Sequence, residues 1–210
     1  MLVAFTGCGT EEIKDPVFFG KTFPAYIDTD IVAEECFLYD GTFFEDGFFE
    51  ERQGVAALKV TNTGEKDIQL VRVYVTTSEK ELFFEITTLP AGATVTVLEK
   101  DAQSLSEKEE LLEFRAENRV DFAEKPSLHE DVFLLQANNG TINLKNISEK
   151  NIDSDIFVYY KKKADDGSYL GGITFRTRAL GGLDAGVIAQ LPASNFNLSD
   201  SEVLFVDYAD

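Results

Sequence analysis

Val60-Thr61-Asn62-Thr63-Gly64-Glu65-Lys66-Asp67-Ile68 lines up without a gap on Leu144-Lys145-Asn146-Ile147-Ser148-Glu149-Lys150-Asn151-Ile152, 84 positions further on. A second pair follows in the same order, Leu89-Pro90-Ala91-Gly92-Ala93 on Leu183-Asp184-Ala185-Gly186-Val187, now 94 positions apart. The ten extra residues of the second copy fall around Lys161 to Gly171, where Ala164-Asp165-Asp166-Gly167-Ser168-Tyr169 reads as a lengthened hairpin loop. Two matches in one order, separated by a hairpin-sized insertion, indicate duplication of a unit of about 85–95 residues. Residues near 53–100 and 139–191 are therefore expected to fold as superposable sandwiches, with Asn62 and Asn146 at equivalent turns.

Working outward from these turns, apolar residues recur at every second position. In the first copy they are Ala56, Leu58 and Val60, then Val71, Val73 and Val75, then Leu82, Phe84 and Ile86, then Val95 and Val97. The second copy has Ile142 and Leu144, then Ile156, Val158 and Tyr160, then Ile173 and Phe175, then Val187, Ala189 and Leu191, and finally Val203 and Phe205, with Asp207 next in the same phase. A period of two, rich in β-branched and aromatic residues and broken by turns, predicts half-buried antiparallel strands. Spaced about a dozen residues apart, such strands make an all-β chain of two tandem immunoglobulin-like sandwiches. One segment departs from the pattern. Ser106 followed by Glu109 has capping-box spacing, and the run that follows predicts a short helix near 106–116. The expected division is 1–33 as leader and tether, 34–124 as the first sandwich and 127–210 as the second, with the boundary near Glu124-Lys125-Pro126-Ser127.

Charge narrows the function classes. Nineteen Lys and Arg stand against 38 Asp and Glu, a formal net charge of −19. So acidic a surface repels phosphate backbones and anionic headgroups, which argues against nucleic acid as partner. No run of 18 apolar residues is present, so a membrane contact would have to go through a lipid anchor.

Two resemblances carry the compartment. The Asn62-Thr63-Gly64 turn and Leu89-Pro90-Ala91-Gly92 resemble turns of bacterial extracellular immunoglobulin-like modules found in envelope lipoproteins, over roughly 60–100 and 140–190. Phe5-Thr6-Gly7-Cys8 resembles the box that precedes the lipidated cysteine of bacterial lipoproteins, with Phe5 standing where Leu is usual and without a basic segment before it. These imply lipidation at Cys8 and a place on the extracellular face of a bacterial membrane, or secretion. Residues up to about Asp15 would then be a polar tether. With Cys8 unlipidated, a Cys8–Cys36 disulfide is the alternative.

Few residues offer chemistry. His129 is the single histidine, and no Gly-x-Ser-x-Gly elbow accompanies it. Gly171-Gly172 and Gly181-Gly182 follow no nucleotide-loop spacing. Asp28, Asp30, Glu34 and Glu35 are close enough to suggest calcium, but Val32 and Ala33 stand where a calcium loop needs oxygen and glycine. Asp153 with Asp155, and Asp165 with Asp166, read as solvated charge. The reading calls for no catalytic residue, metal or cofactor. The most unusual stretch is 36–51, with Phe37, Tyr39, Phe43, Phe44, Phe48 and Phe49 among carboxylates. Adjacent Phe side chains of a strand point to opposite faces, so either the segment lies between two apolar surfaces or one of each pair is exposed. As a contact surface these six would meet a protein or glycan at the cell surface. The expected function is non-catalytic binding or scaffolding in the envelope. The alternative is a secreted carbohydrate-active or hydrolytic module using surface carboxylates.

Overall fold

The computed structural model describes residues 22–106 and 108–209. Thirteen strands order the described residues: β1 (Ala25–Asp28), β2 (Ile31–Thr42), β3 (Glu51–Asn62), β4 (Ile68–Thr77), β5 (Glu81–Leu89), β6 (Thr94–Leu98), β7 (Leu111–Asp121), β8 (Phe133–Asn138), β9 (Thr141–Asn146), β10 (Ile156–Lys163), β11 (Tyr169–Ala179), β12 (Ile188–Pro192) and β13 (Ser201–Tyr208). No helix occurs among the described residues, and the fold is an all-β sandwich.

The internal repeat is visible bond by bond. Asn62 lies at the end of β3, where its Nδ2 donates to the carbonyls of Lys66 and Leu89 while its Oδ1 accepts the Gly64 N–H. Asn146, at the end of β9, donates to the carbonyls of Lys150 and Leu183 and accepts the Ser148 N–H. The backbone around them matches as well. Gly92 N–H donates to Asn62 O and Gly186 N–H to Asn146 O, while Asp67 and Asn151 receive the N–H groups of Ala91 and Ala185. Both asparagines are fully buried. A buried amide that spends both ends on backbone groups closes a turn that main-chain bonds alone would leave unsatisfied.

Strand pairing repeats too. In the first half β2-β3-β6 faces β5-β4-β7, and in the second β8-β9-β12 faces β11-β10-β13. Each pair of sheets encloses its own apolar cluster. Leu58, Val73, Phe84 and Val97 belong to the first, and Phe133, Leu144, Val158 and Val206 to the second. These are the alternating positions of the sequence, buried on the inner faces.

The halves are nevertheless not separate beads. β6 pairs in parallel with β11, Val95 opposite Tyr169 and Thr96 opposite Leu170, which joins them into one seven-stranded sheet of order β1-β2-β3-β6-β11-β10-β13. The segment between β7 and β8, which contains the expected boundary, docks as well. Phe122 meets Phe205 edge-to-face at 5.5 Å, and Ser127 O accepts the Val206 N–H.

Three sequence expectations are corrected. The helix near 106–116 does not form: Ser106 and Glu109 do bond to one another, but Leu111 to Asp121 is β7, with Val75 opposite Phe114 in β4. Pairing with a buried neighbour strand outweighs local helix preference. The leader cannot extend to residue 33, because Ala25, Ile27, Ile31 and Ala33 already sit in β1 and β2 within the first core. The phase of β13 also slips. A bulge places Val203 opposite Tyr160 and Phe205 opposite Tyr159, so Val206 and Tyr208 join the second core, while Phe205 is buried against Tyr159 and Phe122 instead and Asp207 is exposed.

Candidate functional site at the junction

The aromatic stretch is divided by the fold. Phe37 and Tyr39 lie on β2, partly buried against Phe43, Val55, Ala57 and Leu98, and Phe43 is itself buried. The loop between β2 and β3 then turns toward the second half. Phe44 is buried, with its ring 5.8 Å from Phe49, and Phe49 stacks at 5.6 Å on Phe175 of β11. Only Phe48 is open, at 78% exposure. Of the six aromatics, Phe43 and Phe44 are buried, Phe37, Tyr39 and Phe49 are half-buried, and Phe48 is exposed. Phe49 has φ 61, a conformation that costs a bulky residue of order 1–3 kcal/mol and recurs at functional sites.

Beneath the loop lies a polar pin. Glu45 is almost wholly buried, its Oε1 accepting the Gly172 N–H at 2.6 Å and the Leu98 N–H at 3.2 Å. Its Oε2 is buried with no hydrogen-bond partner among the described residues. Lys161, fully buried on β10, donates to the carbonyls of Gly171, Gly172 and Ile173. Burial pushes the Glu45 carboxyl up and the Lys161 ammonium down, since low-dielectric surroundings disfavour each charge, and their mutual attraction partly offsets both shifts. Glycine is required at the centre: a Cβ on Gly172 would lie 2.0 Å from Glu85 O, and one on Gly171, at φ +84, would press on Phe44.

The ten inserted residues now have a place. They extend the β10–β11 hairpin, and that extension carries much of the junction. Tyr169 and Leu170 pair with β6, Lys161 and Gly171 join the pin, and Asp166 reaches Lys59 of β3 at 2.7 Å. Thr174 and Thr87 exchange further hydrogen bonds from β11 to β5. The Lys59 hydrogen bond holds the Asp166 carboxyl well below its ordinary 3.8, with Ser168 assisting. A depressed carboxylate stabilises the fold above its ordinary value and loses that contribution as pH falls through the folded one. Lys59→Ala is accordingly expected to flatten the acid end of the stability–pH curve, below about pH 4, by less than about 1 kcal/mol because the pair is partly exposed. Denaturant midpoints measured for both proteins across that window check the sign.

Other sequence candidates are committed elsewhere. Asp28 and Asp30 bind Arg119 of β7 together with Asp121, and the Arg119 hydrogen bond lowers the Asp30 carboxyl. Asp155 accepts the Gly181 N–H. His129 sits in a turn whose carbonyl receives the Val132 and Phe133 N–H groups, with its ring on Tyr208. Cys36 carries a free thiol in the first core, pushed up to about 12 by burial. Among the described residues no three His, Cys, Asp or Glu side chains gather as a metal site. Cys8 lies outside the described residues.

Beside the aromatic loop a cleft of about 520 Å³ opens between the halves, lined by Thr42, Phe44 and Phe49 on one side of the sequence and by Asn139, Ser194, Asn195, Asn197, Lys162 and Asp200 on the other. The residues from the second half were missed by the sequence reading. A signal did exist, the absence of any charged residue in 132–144 and 185–199 of a chain with 27% charge. Compared with protein-family models, curated proteins and solved structures, the chain matches none.

Proposed function

We propose that this chain is a non-catalytic binding or scaffolding protein of the bacterial cell envelope, lipid-anchored through Cys8. Its two immunoglobulin-like units would contact a protein or glycan at their junction. The observation that carries the reading is the β2–β3 loop, which buries Phe44, half-buries Phe49 against Phe175 and holds Phe48 outward, while Phe44 and Phe49 line an open cleft between the halves. An exposed Phe on a loop whose other aromatics line a cleft is a natural anchor for a partner. The chain's titratable groups support the same view, since the acids nearest the junction are tied to structural partners. Asp200 is the single acid of the cleft lining and is held by Lys162 at 2.7 Å, which leaves a paired-carboxylate hydrolase without its second acid there.

Phe48→Ser is expected to change folding stability by no more than about 0.5 kcal/mol, because the side chain is exposed, and to reduce partner capture. A stability loss of several kcal/mol would assign Phe48 to packing, and undiminished capture would place the contact elsewhere. The anchor is tested on protein isolated from its native cell. Detergent partitioning and a lipid mass increment at Cys8 are expected, and unmodified protein recovered from the cytosol would overturn it.

A further inference from the structure

The junction cleft has a chemistry that sets it apart from an acidic molecule. Residues 132–144 span β8, its turn and most of β9, and residues 185–199 span β12 and the loop after it, all without a charged side chain. The pairing of β12 with β9 and of β9 with β8 lays these two stretches side by side. Where their loops meet the cleft they present Asn139, Ser194, Asn195 and Asn197, while the first half supplies Phe44 and Phe49. The two charged side chains of the lining neutralise one another, Lys162 Nζ to Asp200 Oδ1 at 2.7 Å, with the lysine largely buried.

The amides retain unused capacity. Asn139 Oδ1 accepts the Leu198 N–H at 2.9 Å and Asn197 Oδ1 the Ser199 N–H at 3.4 Å, so each fixes its loop through oxygen and keeps its NH₂ donors for another partner. No hydrogen bond joins the Asn195 side chain to another described residue. A phosphate or carboxylate ligand would need an uncommitted cation, and Lys162 is already committed. A cation would need more than the single, neutralised Asp200. What remains is an apolar aromatic border, a row of amides and no net charge, in a volume inside the usual range of about 300–1,000 Å³ for small-molecule sites. A sugar ring offers apolar C–H faces to the first and hydroxyl groups to the second.

We infer that this cleft is a binding site for a neutral oligosaccharide, set against the Phe44–Phe49 border and hydrogen-bonded by Asn139, Asn195 and Asn197. The inference rests on the binding role proposed above and specifies its ligand. The full chain is titrated by calorimetry with a panel of short neutral oligosaccharides of glucose, mannose, galactose, xylose and N-acetylglucosamine, beside uronate-containing counterparts and an unstructured neutral peptide. Saturable binding of a neutral sugar is expected. Asn195→Ala, whose side chain has no internal bond to lose, should weaken it about tenfold, as removal of a ligand-facing polar group does. Ser194→Trp should abolish it by filling the cleft, with circular dichroism confirming that both variants keep the fold. Absence of binding to every neutral sugar, preference for the charged sugars or the peptide, or affinity unchanged in both variants would overturn the inference. The two readings separate cleanly. If no sugar binds while Phe48→Ser still impairs partner capture, the binding role stands and the sugar falls; if Phe48→Ser has no effect while Asn195→Ala weakens sugar binding, the cleft stands without its outer anchor.

Discussion

Lys161→Met is expected to destabilise the protein by about 3–5 kcal/mol, because it takes from the buried Glu45 carboxyl the larger of its two positive influences, Lys100 being the other, and leaves the Gly171, Gly172 and Ile173 carbonyls without their donor. Glu45→Gln should cost less on its own, since the Gln oxygen can still accept the Gly172 and Leu98 N–H groups that Glu45 Oε1 now takes. The double variant Lys161→Met with Glu45→Gln is expected to recover at least half of the lysine's cost, as replacing both members of a buried pair commonly does. A pH series adds a second readout. Because burial lowers the folded Lys161 from its ordinary 10.5 to about 7, the unfolded chain binds one more proton than the native one between those values, so native stability rises with pH across that window and levels off above it. Lys161→Met removes that rise. Purely additive single-variant costs in the cycle would mean that Glu45 and Lys161 act independently.

Asn62→Ala and Asn146→Ala form a matched pair of experiments. Each deletion leaves a buried carbonyl, Leu89 O or Leu183 O, without its amide donor and releases the N–H two residues on, a loss of about 2–4 kcal/mol. Costs equal within about 1 kcal/mol are expected because both amides make the same bonds to backbone groups, the one addition being the Ser148 hydroxyl that also donates to Asn146 Oδ1. A large cost at one asparagine with almost none at the other would show that the geometric equivalence is not an energetic one. Thermal unfolding followed by near-ultraviolet circular dichroism reports both halves, since each core includes tyrosines or lies beside them.

Inner-face residues were readable because a strand's period is local: Val71, Val73 and Val75, or Ile156 and Val158, declare their face without knowledge of a partner. The two asparagines were readable for another reason, the chain having written the turn twice. What could not be read depended on distant residues. Ser106 and Glu109 do bond to one another as their spacing suggests, yet the stretch after them is claimed by β4, more than thirty positions away. The bulge in β13 is set by its fit to β10 and leaves no mark on the alternation. The 43–49 loop was flagged as lying either exposed or between two apolar surfaces, and the choice turned on Phe175 and Gly171, more than a hundred positions later. Glu45 and Lys161 looked like two charges among 57. Their burial follows only from the junction, and so does the cleft, whose charge-free border was present in the sequence but acquires Phe44 and Phe49 only where the halves meet.

The parallel pairing of β6 with β11 also bears on synthesis. The first half leaves the ribosome with its β6 edge bare, and the strand that will cover it, Tyr169–Ala179, lies some seventy residues downstream. During that interval the edge can accept the same hairpin from a neighbouring nascent chain, because nothing in the pairing of Val95 with Tyr169 distinguishes the two copies. Chains made in close succession on one messenger therefore compete with their own second halves, and swapped dimers are the by-product to look for when expression is fast. Slower elongation through the segment between β7 and β11 would lengthen the exposure, whereas a high dilution of ribosomes would leave each chain to close on itself.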